Sequence, residues 1–363
     1  MSASAPGLRP EGRVPPPEVV QLAGHIVAGA GRQAGLLAQE PLKESVHRLR
    51  YETLAGPSSV VVKRLSPHRA RANGLVARRW LPAVGLESAC PALRGVVHER
   101  SGSKLWHIYE DVAGSGLDDS LPDPAPAVAV VELIVDLHTR FAGHPLLPQC
   151  RKHGGELGMA FFAMHVARSI DALKSIGSRG PRLPSEQAEL RDRLLGRVER
   201  LYAERDVHAA LLETYGGPET LLHGDLWLTN TLVARRADGF RATLIDWDHV
   251  GVGPVTYDLS TFLYRFAPGH RPWILTQYRE AAALGGWQLP DDSTLNRLFE
   301  TAESARYASC LGAAALAASQ GELWGVEMLA EIDTWFTRLQ PALAEAHSPL
   351  RAEGEHGRRR SGA

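Results

Sequence analysis

A chain of 363 residues, 44% hydrophobic and 22% charged, is long enough for two units of ordinary size, and its formal net charge of -1 excludes the basic excess that nucleic acid or an anionic membrane surface would demand. Three cysteines, Cys90, Cys150 and Cys310, are odd in number and far apart, which excludes a disulfide framework or a cysteine zinc site and points to a reducing, cytoplasmic setting. The apolar run from Cys310 to Ala318 is too short to cross a bilayer, and the first residues lack the basic and apolar pattern of a secretion signal.

Residues 1–20 and 347–363 carry Pro, Gly, Ser and Arg with little to bury, and are expected to be disordered tails. Between them a first lobe is expected over 21–112 and a second over 113–346. Ser45–Glu52 and Ser58–Leu65 read as strands joined by the turn cluster Thr53-Leu54-Ala55-Gly56-Pro57, and Gln39 to Ser45 reads as the loop before them. The second run carries Lys63, one of five lysines against 35 arginines; on an edge strand such a lysine would serve solubility. Leu75, Val76, Ala77 and Trp80 give helical spacing within Arg69–Val84, and no Asp or Glu occurs from Arg64 to Leu86. Trp106–Val112 is an apolar strand ending in acids, followed by the flexible Ala113-Gly114-Ser115-Gly116. Apolar recurrence at three and four residues then predicts helices over 126–144, 158–176, 186–213, 272–284, 293–319 and 323–346.

The chemistry concentrates between residues 223 and 248. In His223-Gly224-Asp225-Leu226-Trp227-Leu228-Thr229-Asn230, Asp225 can take the proton of an attacking hydroxyl, and Asn230 follows at the distance a loop needs to fold back with a carbonyl oxygen for a divalent cation. Thr231-Leu232-Val233 and Ala242-Thr243-Leu244-Ile245 flank Asp238-Gly239, a hairpin signal, and the returning strand delivers Asp246, a second oxygen ligand able to bridge metal and phosphate. Buried His223 is expected to hydrogen-bond the loop backbone rather than transfer protons.

These residues, with Ile245-Asp246-Trp247-Asp248 and Gly253-Pro254-Val255-Thr256-Tyr257-Asp258-Leu259-Ser260, resemble the aminoglycoside phosphotransferase and choline kinase-like family, whose fold is that of protein kinases. The resemblance covers about residues 25–345, but only the 223–260 block is specific. It implies an α+β fold of two lobes, a small antiparallel sheet and a larger helical lobe, with Asp225 as catalytic base, Asn230 and Asp246 as Mg²⁺ ligands and Asp258 as a buried anchor of the loop. It further implies that Lys63 contacts the nucleotide phosphates and that backbone groups from Glu110 to Val112 meet the adenine edge. Two departures stand out. The helix after Lys63 lacks the glutamate that would pair with it, leaving Glu87, another carboxylate, or the nucleotide and Asp246 to hold the lysine. The segment before Ser45 lacks phosphate-binding glycines, leaving Ser45 and Lys43 as substitutes.

Between Gly285 and Glu345 stand nine acidic residues against Arg297, Arg306 and Arg338, which suits an amine-bearing acceptor. Trp324, Glu327, Met328, Glu331 and Trp335 share a helical face and, with Asp248, are candidates for its recognition; alternatively the tryptophans are core and the glutamates a solvated edge. The reading is an ATP-dependent O-phosphotransferase, GTP being an alternative donor, that modifies a hydroxyl on a small molecule. The rival is a catalytically weak binding or regulatory protein on the same scaffold. A protein kinase is disfavoured because the stretch from Asp248 to Asp258 is too short for a peptide-docking activation loop. Acceptor identity and oligomeric state are not encoded in any feature of the sequence.

Overall fold

A computed structural model describes residues 14–29, 32, 34–176 and 184–344. Most of both expected tails lies outside the described residues, but the first does not reach residue 20. Helix α1 (Pro17–Ala28) starts on a proline that presets the first helical turn, and Val19 and Ala23 are fully buried against the sheet.

That sheet is antiparallel, with strands β1 (Gly35–Lys43), β2 (Val46–Thr53), β3 (Gly56–Leu65), β4 (Leu93–His98) and β5 (Leu105–Glu110) in the order β1-β2-β3-β5-β4. The loop expected before Ser45 is instead β1, and only Glu44 and Ser45 turn the chain between Lys43 and Val46. Its mostly exposed residues give little of the alternation by which a strand is read. Period-two alternation splits β2 and β3 between two faces: Leu49, Tyr51, Val60 and Val62 meet α1, while Val46, Arg48, Val61 and Lys63 point to the opposite side. Because β3 is central, Lys63 is not an edge lysine.

The next helix is irregular. Helix α2 (Pro67–Leu75) passes through a π-helical segment, Val76–Trp80, into the single turn α3 (Leu81–Ala83), and Trp80 is buried with its indole N–H donating to Gln149 at 3.0 Å. Strand β5 leads into the linker, where Arg48 and Ser59 both donate to the Asp111 carboxylate, at 2.8 and 2.6 Å. The short β6 (Ser115–Gly116) then joins the second lobe. Gly114 there has φ +135°, and a side chain on it would press on the Val233 carbonyl.

The second lobe contains α4 (Ala125–Phe141), α5 (Leu147–His153), α6 (Met159–Ser175), α7 (Ser185–Ala203) and α8 (Arg205–Tyr215). The single helix expected over 186–213 breaks at Glu204, whose ψ of 3° leaves the helical range. Strand β7 (Glu219–Leu222) feeds the loop at 223–230, β8 (Thr231–Arg236) and β9 (Gly239–Leu244) form the hairpin, and β10 (Gly251–Pro254) returns beside β7. The hairpin turn is Ala237-Asp238, with Gly239 opening the return strand at φ +135°. Then come α9 (Thr256–Leu263), all of it buried, α10 (Arg271–Leu284), α11 (Asp292–Ser319) and α12 (Leu323–Arg338). Helix α11 is the central post, its alanines 305, 308, 314 and 315 buried among α6, α9 and α12. Helix α12 stops at Arg338, short of the expected 346. No described helix is long and apolar enough to cross a membrane.

Candidate active site

The loop after β7 is hung from one buried carboxylate. Asp258 accepts the backbone N–H of His223 at 2.7 Å and of Gly224 at 2.9 Å, with His138 at 3.4 Å on the same group. Burial alone would raise the Asp258 pKa, but the hydrogen bond and charge of His138, with His223 and the Gly224 amide, outweigh it and hold the carboxyl below its ordinary range. His223, fully buried, donates from Nε2 to the Ile245 carbonyl at 2.9 Å and accepts the Asp225 N–H on Nδ1, while burial lowers its pKa and keeps it neutral. Gly224 sits at φ +82°, and a Cβ there would lie 1.9 Å from the His249 carbonyl oxygen. No other residue fits.

Asn230 ties the loop back on itself. Its Nδ2 donates to the Asp225 carbonyl at 2.9 Å and to Asp225 Oδ2 at 3.2 Å, whereas its buried Oδ1 has no hydrogen-bond partner. The Ile245 N–H donates to the Asn230 carbonyl at 2.9 Å, so Asp246 is one residue from the bond that joins the two segments. Asp246 is one of two described non-glycine residues with positive φ, at +66°, a strained conformation held where the strand gives way to the turn at Trp247–His249. An orphaned amide oxygen, with a carboxylate on the residue after the one bonded to the Asn230 carbonyl, fits the chemistry of Mg²⁺, which takes few protein ligands and leaves the rest to phosphates and water. Among the described residues no cluster of three or more His, Cys, Asp or Glu is arranged for a metal.

Lys63 settles between two carboxylates, Asp246 at 2.6 Å and Asp248 at 2.7 Å, and Asn73 from α2 donates to the same Asp248 oxygen at 3.0 Å. The lysine's missing helix partner is therefore replaced: Asp248 supplies the carboxylate and Asn73 occupies the helix position. Glu87 is exposed and takes no part. This also corrects the placement of Asp248 among acceptor contacts, since its side chain is spent on Lys63, Asn73 and Arg69 beneath the sheet. Lys43 reaches across from the β1–β2 turn to Asp246 at 3.3 Å. Burial opposes ionisation of Asp246, but the two lysines overcome it and bring its pKa down to about 2.

A cleft of about 280 Å³ lies between the sheet and these residues, with Val46 and Val61 above, Leu232, Ile245 and Trp247 below, and Tyr109 and Cys90 behind. Lys43, Lys63, Asp246, Glu110 and Val112 line it; Ser45 does not, its carbonyl being bonded to the Arg64 N–H. The Glu110 N–H is spent on the Ala92 carbonyl and its side chain on Arg94. Val112 makes no backbone hydrogen bond among the described residues.

On the other side of Asp225 the walls come from residues that sequence reading had not assigned. Arg306 of α11 donates to the carbonyls of Gly224 at 3.2 Å and Tyr257 at 3.1 Å, and to the Thr261 hydroxyl. Fully buried Glu303 receives Ser260 at 2.9 Å and Arg306 at 3.4 Å. The Arg265 guanidinium lies 3.9 Å over the half-exposed Trp227 ring. Only the position of Trp227, two residues from Asp225, could have signalled this wall. Trp335 packs on Tyr307, with centroids 5.6 Å apart, as part of the core; Trp324 is exposed and bonds Glu322; and Glu327 is exposed. Eleven residues of helix separate Trp324 from Trp335 by about 16 Å, so with Glu327 and Glu331 they do not form one box. The nearby acids are also dispersed: Asp333 is held by Arg193 and Arg197, and Asp292 by Arg279.

A family model described as the phosphotransferase enzyme family matches residues 38–293. Among solved structures, the chain is similar to a spectinomycin phosphotransferase, APH(9)-Ia, in complex with ADP and spectinomycin (12% identity, 86% of this chain and 91% of that one, TM-score 0.56). It is also similar to an ethanolamine kinase from Plasmodium vivax (12%, 83% and 81%, 0.52) and to macrolide 2'-phosphotransferase MphH from Brachybacterium faecium (19%, 82% and 91%, 0.51). No curated protein matches. These likenesses show the fold, the two lobes of protein kinase-like phosphotransferases.

Proposed function

Because the chain belongs to the phosphotransferase enzyme family, we propose that it transfers the terminal phosphoryl group of ATP to a hydroxyl of a small molecule. The observation that carries this reading is Asn230, whose Nδ2 fixes the Asp225 carboxylate, whose buried Oδ1 has no hydrogen-bond partner among the described residues, and whose carbonyl takes the N–H of Ile245, the neighbour of Asp246. One side chain thereby joins a base to a metal ligand, the coupling that in-line transfer to a hydroxyl requires.

Asp225 accepts the hydroxyl proton at its carboxylate as the oxygen attacks. Asn230 keeps that carboxylate oriented, and Asp258 keeps the loop from drifting. Adenine lies between Val46, Val61 and Leu232 with its edge on the Val112 backbone; the ADP held by the spectinomycin phosphotransferase supports a nucleotide here. Lys63 and Lys43 turn from Asp246 toward the phosphates. Asn230 and Asp246 would hold Mg²⁺, which when bound would neutralise the charge developing on the transferred group. Positioning and fixed charge carry most of the rate. The regulatory alternative drew on the missing phosphate-loop glycines and the absent helix glutamate; against the second stands the pairing of Lys63 with Asp246 and Asp248.

The test is phosphoryl transfer from ATP and GTP, with and without Mg²⁺, over hydroxylated antibiotics, amino alcohols, sugars and hydroxy acids. Asp225→Ala should fold normally and lose roughly 10²–10⁴ in turnover. Undiminished transfer by that variant would overturn the assignment.

A further inference from the structure

Beyond Asp225, on the side away from Lys63, stands a cation that no described residue neutralises. Arg265 follows α9 directly. Its guanidinium lies over the Trp227 ring at 3.9 Å, Nε donates to the Thr261 carbonyl at 3.4 Å, and neither Nη atom has a hydrogen-bond partner among the described residues. Other part-buried arginines are treated differently: Arg48 holds Asp111, Arg64 holds Glu99 and Arg306 holds Glu303. Among the described residues Arg265 has no carboxylate within ion-pairing distance. Glu303, the carboxylate whose charge bears on it most, accepts from Ser260 and Arg306 on Oε1, and its buried Oε2 has no hydrogen-bond partner among the described residues, Arg265 included.

Withdrawing a guanidinium from water without a counter-ion costs free energy, and burial accordingly lowers the Arg265 pKa. The ring beneath it recovers part of that cost through cation–π attraction and holds the planar fork in one orientation. Two unused Nη donors on such a fork match the paired oxygens of a carboxylate or a phosphate. Arg271 adds a second positive charge close enough to be felt, and it too has no described carboxylate partner.

We infer that the acceptor is a hydroxylated compound bearing an oxyanion, gripped by Arg265 on the Trp227 platform while its hydroxyl rests on Asp225. This rests on the phosphotransferase reading for the hydroxyl, and on Arg265 for the anion. It reverses the amine-bearing acceptor that the acidic composition of residues 285–345 suggested.

Binding and transfer are measured separately. The protein saturated with Mg²⁺ and ADP is titrated calorimetrically with glucose, glucosamine, glucuronate and glucose 6-phosphate, matched probes for neutral, amine, carboxylate and phosphate groups. At least one anionic probe is expected to bind tenfold or more tightly than the neutral and amine probes, and the ratio between the two anions identifies the oxyanion. Arg265→Ala should erase that preference and Arg265→Lys retain part of it, with thermal melting confirming that both fold. Trp227→Phe, which keeps an aromatic plane, should weaken anion binding less than Trp227→Ala. Equal or tighter binding of the neutral or amine probes, or a preference that survives Arg265→Ala, overturns the inference. The same series with ATP separates the two claims: transfer to the amine probe in preference to the anions leaves the kinase reading standing and sinks this one. Arg265-dependent anion binding without transfer to any compound sustains this one and sinks the other.

Discussion

The two sides of the catalytic loop are charged by different means. Under the sheet, Lys43 and Lys63 converge on Asp246, and Lys63 also holds Asp248. Beyond Asp225 the cations are arginines set on backbone carbonyls and rings, Arg306 on Gly224 and Tyr257 and Arg265 on Trp227. In a chain with 35 arginines and five lysines, two lysines on one carboxylate is a placement that composition does not account for. An ammonium is a compact point charge on a flexible stem, able to leave one oxygen for another; a guanidinium is a rigid fork that fixes shape. One side is therefore made for exchange of partners, the other for holding a wall still.

The largest expected effect tests the rigid side. Arg306→Lys keeps the charge but cannot span two carbonyls, a hydroxyl and Glu303, and should lose about 3 kcal/mol of stability by denaturant unfolding. A variant as stable as the parent would break the comparison. Next, Asp248→Asn leaves Lys63 to Asp246 alone; it should cost about 2 kcal/mol and raise the KM for ATP with little change in that for the acceptor. Equal changes in both constants would mean that the two sides are not separate. The smallest effect is a pH dependence beside Lys63. Burial first, then Arg78 and Lys63, push the His107 pKa from 6.5 to about 4. Between those values the unfolded chain binds more protons, so this contribution is complete above pH 6.5 and is lost as pH falls toward 4. Urea midpoints measured from pH 7 to 4 should fall less steeply in His107→Gln than in the parent; identical slopes would remove His107 from the account.

What the sequence made legible follows the same division. Asp225, Asn230 and Asp246 sit in one short loop and hairpin, so their spacing alone suffices to bring them together, and the two-lobed phosphotransferase fold follows from that block. The sequence left Asp246 and an unspecified distant carboxylate open as supports of Lys63, and both occur; Asp248 itself could not be singled out from 185 positions away, and Asn73 is not an acid. Strand β1 was hidden because an edge strand with little to bury lacks alternation. The far wall was hidden most thoroughly: Trp227 in the loop, Arg265 after α9, and Glu303 and Arg306 on α11 are far apart in the chain, and a count of acids over 285–345 could not reveal that Glu303 Oε1 already accepts from Ser260 and Arg306. Composition reports charge, whereas only folding reports which charges remain unspent.

The π-helical stretch at Val76–Trp80 makes the chain sensitive to its own length. Trp80 is pinned in the core by its burial and its bond to Gln149, and Asn73 is pinned to Asp248 seven residues earlier. The wide turn carries one residue more than a regular α-helix needs between these two anchors, so its loss would leave their orientation nearly unchanged, whereas one residue more would rotate Asn73 by about 100° relative to Trp80, off the carboxylate that steadies Lys63. A single codon, gained in a segment that touches neither Asp225 nor Asn230, would thus uncouple the lysine from its support while leaving every residue of the 223–248 block in place.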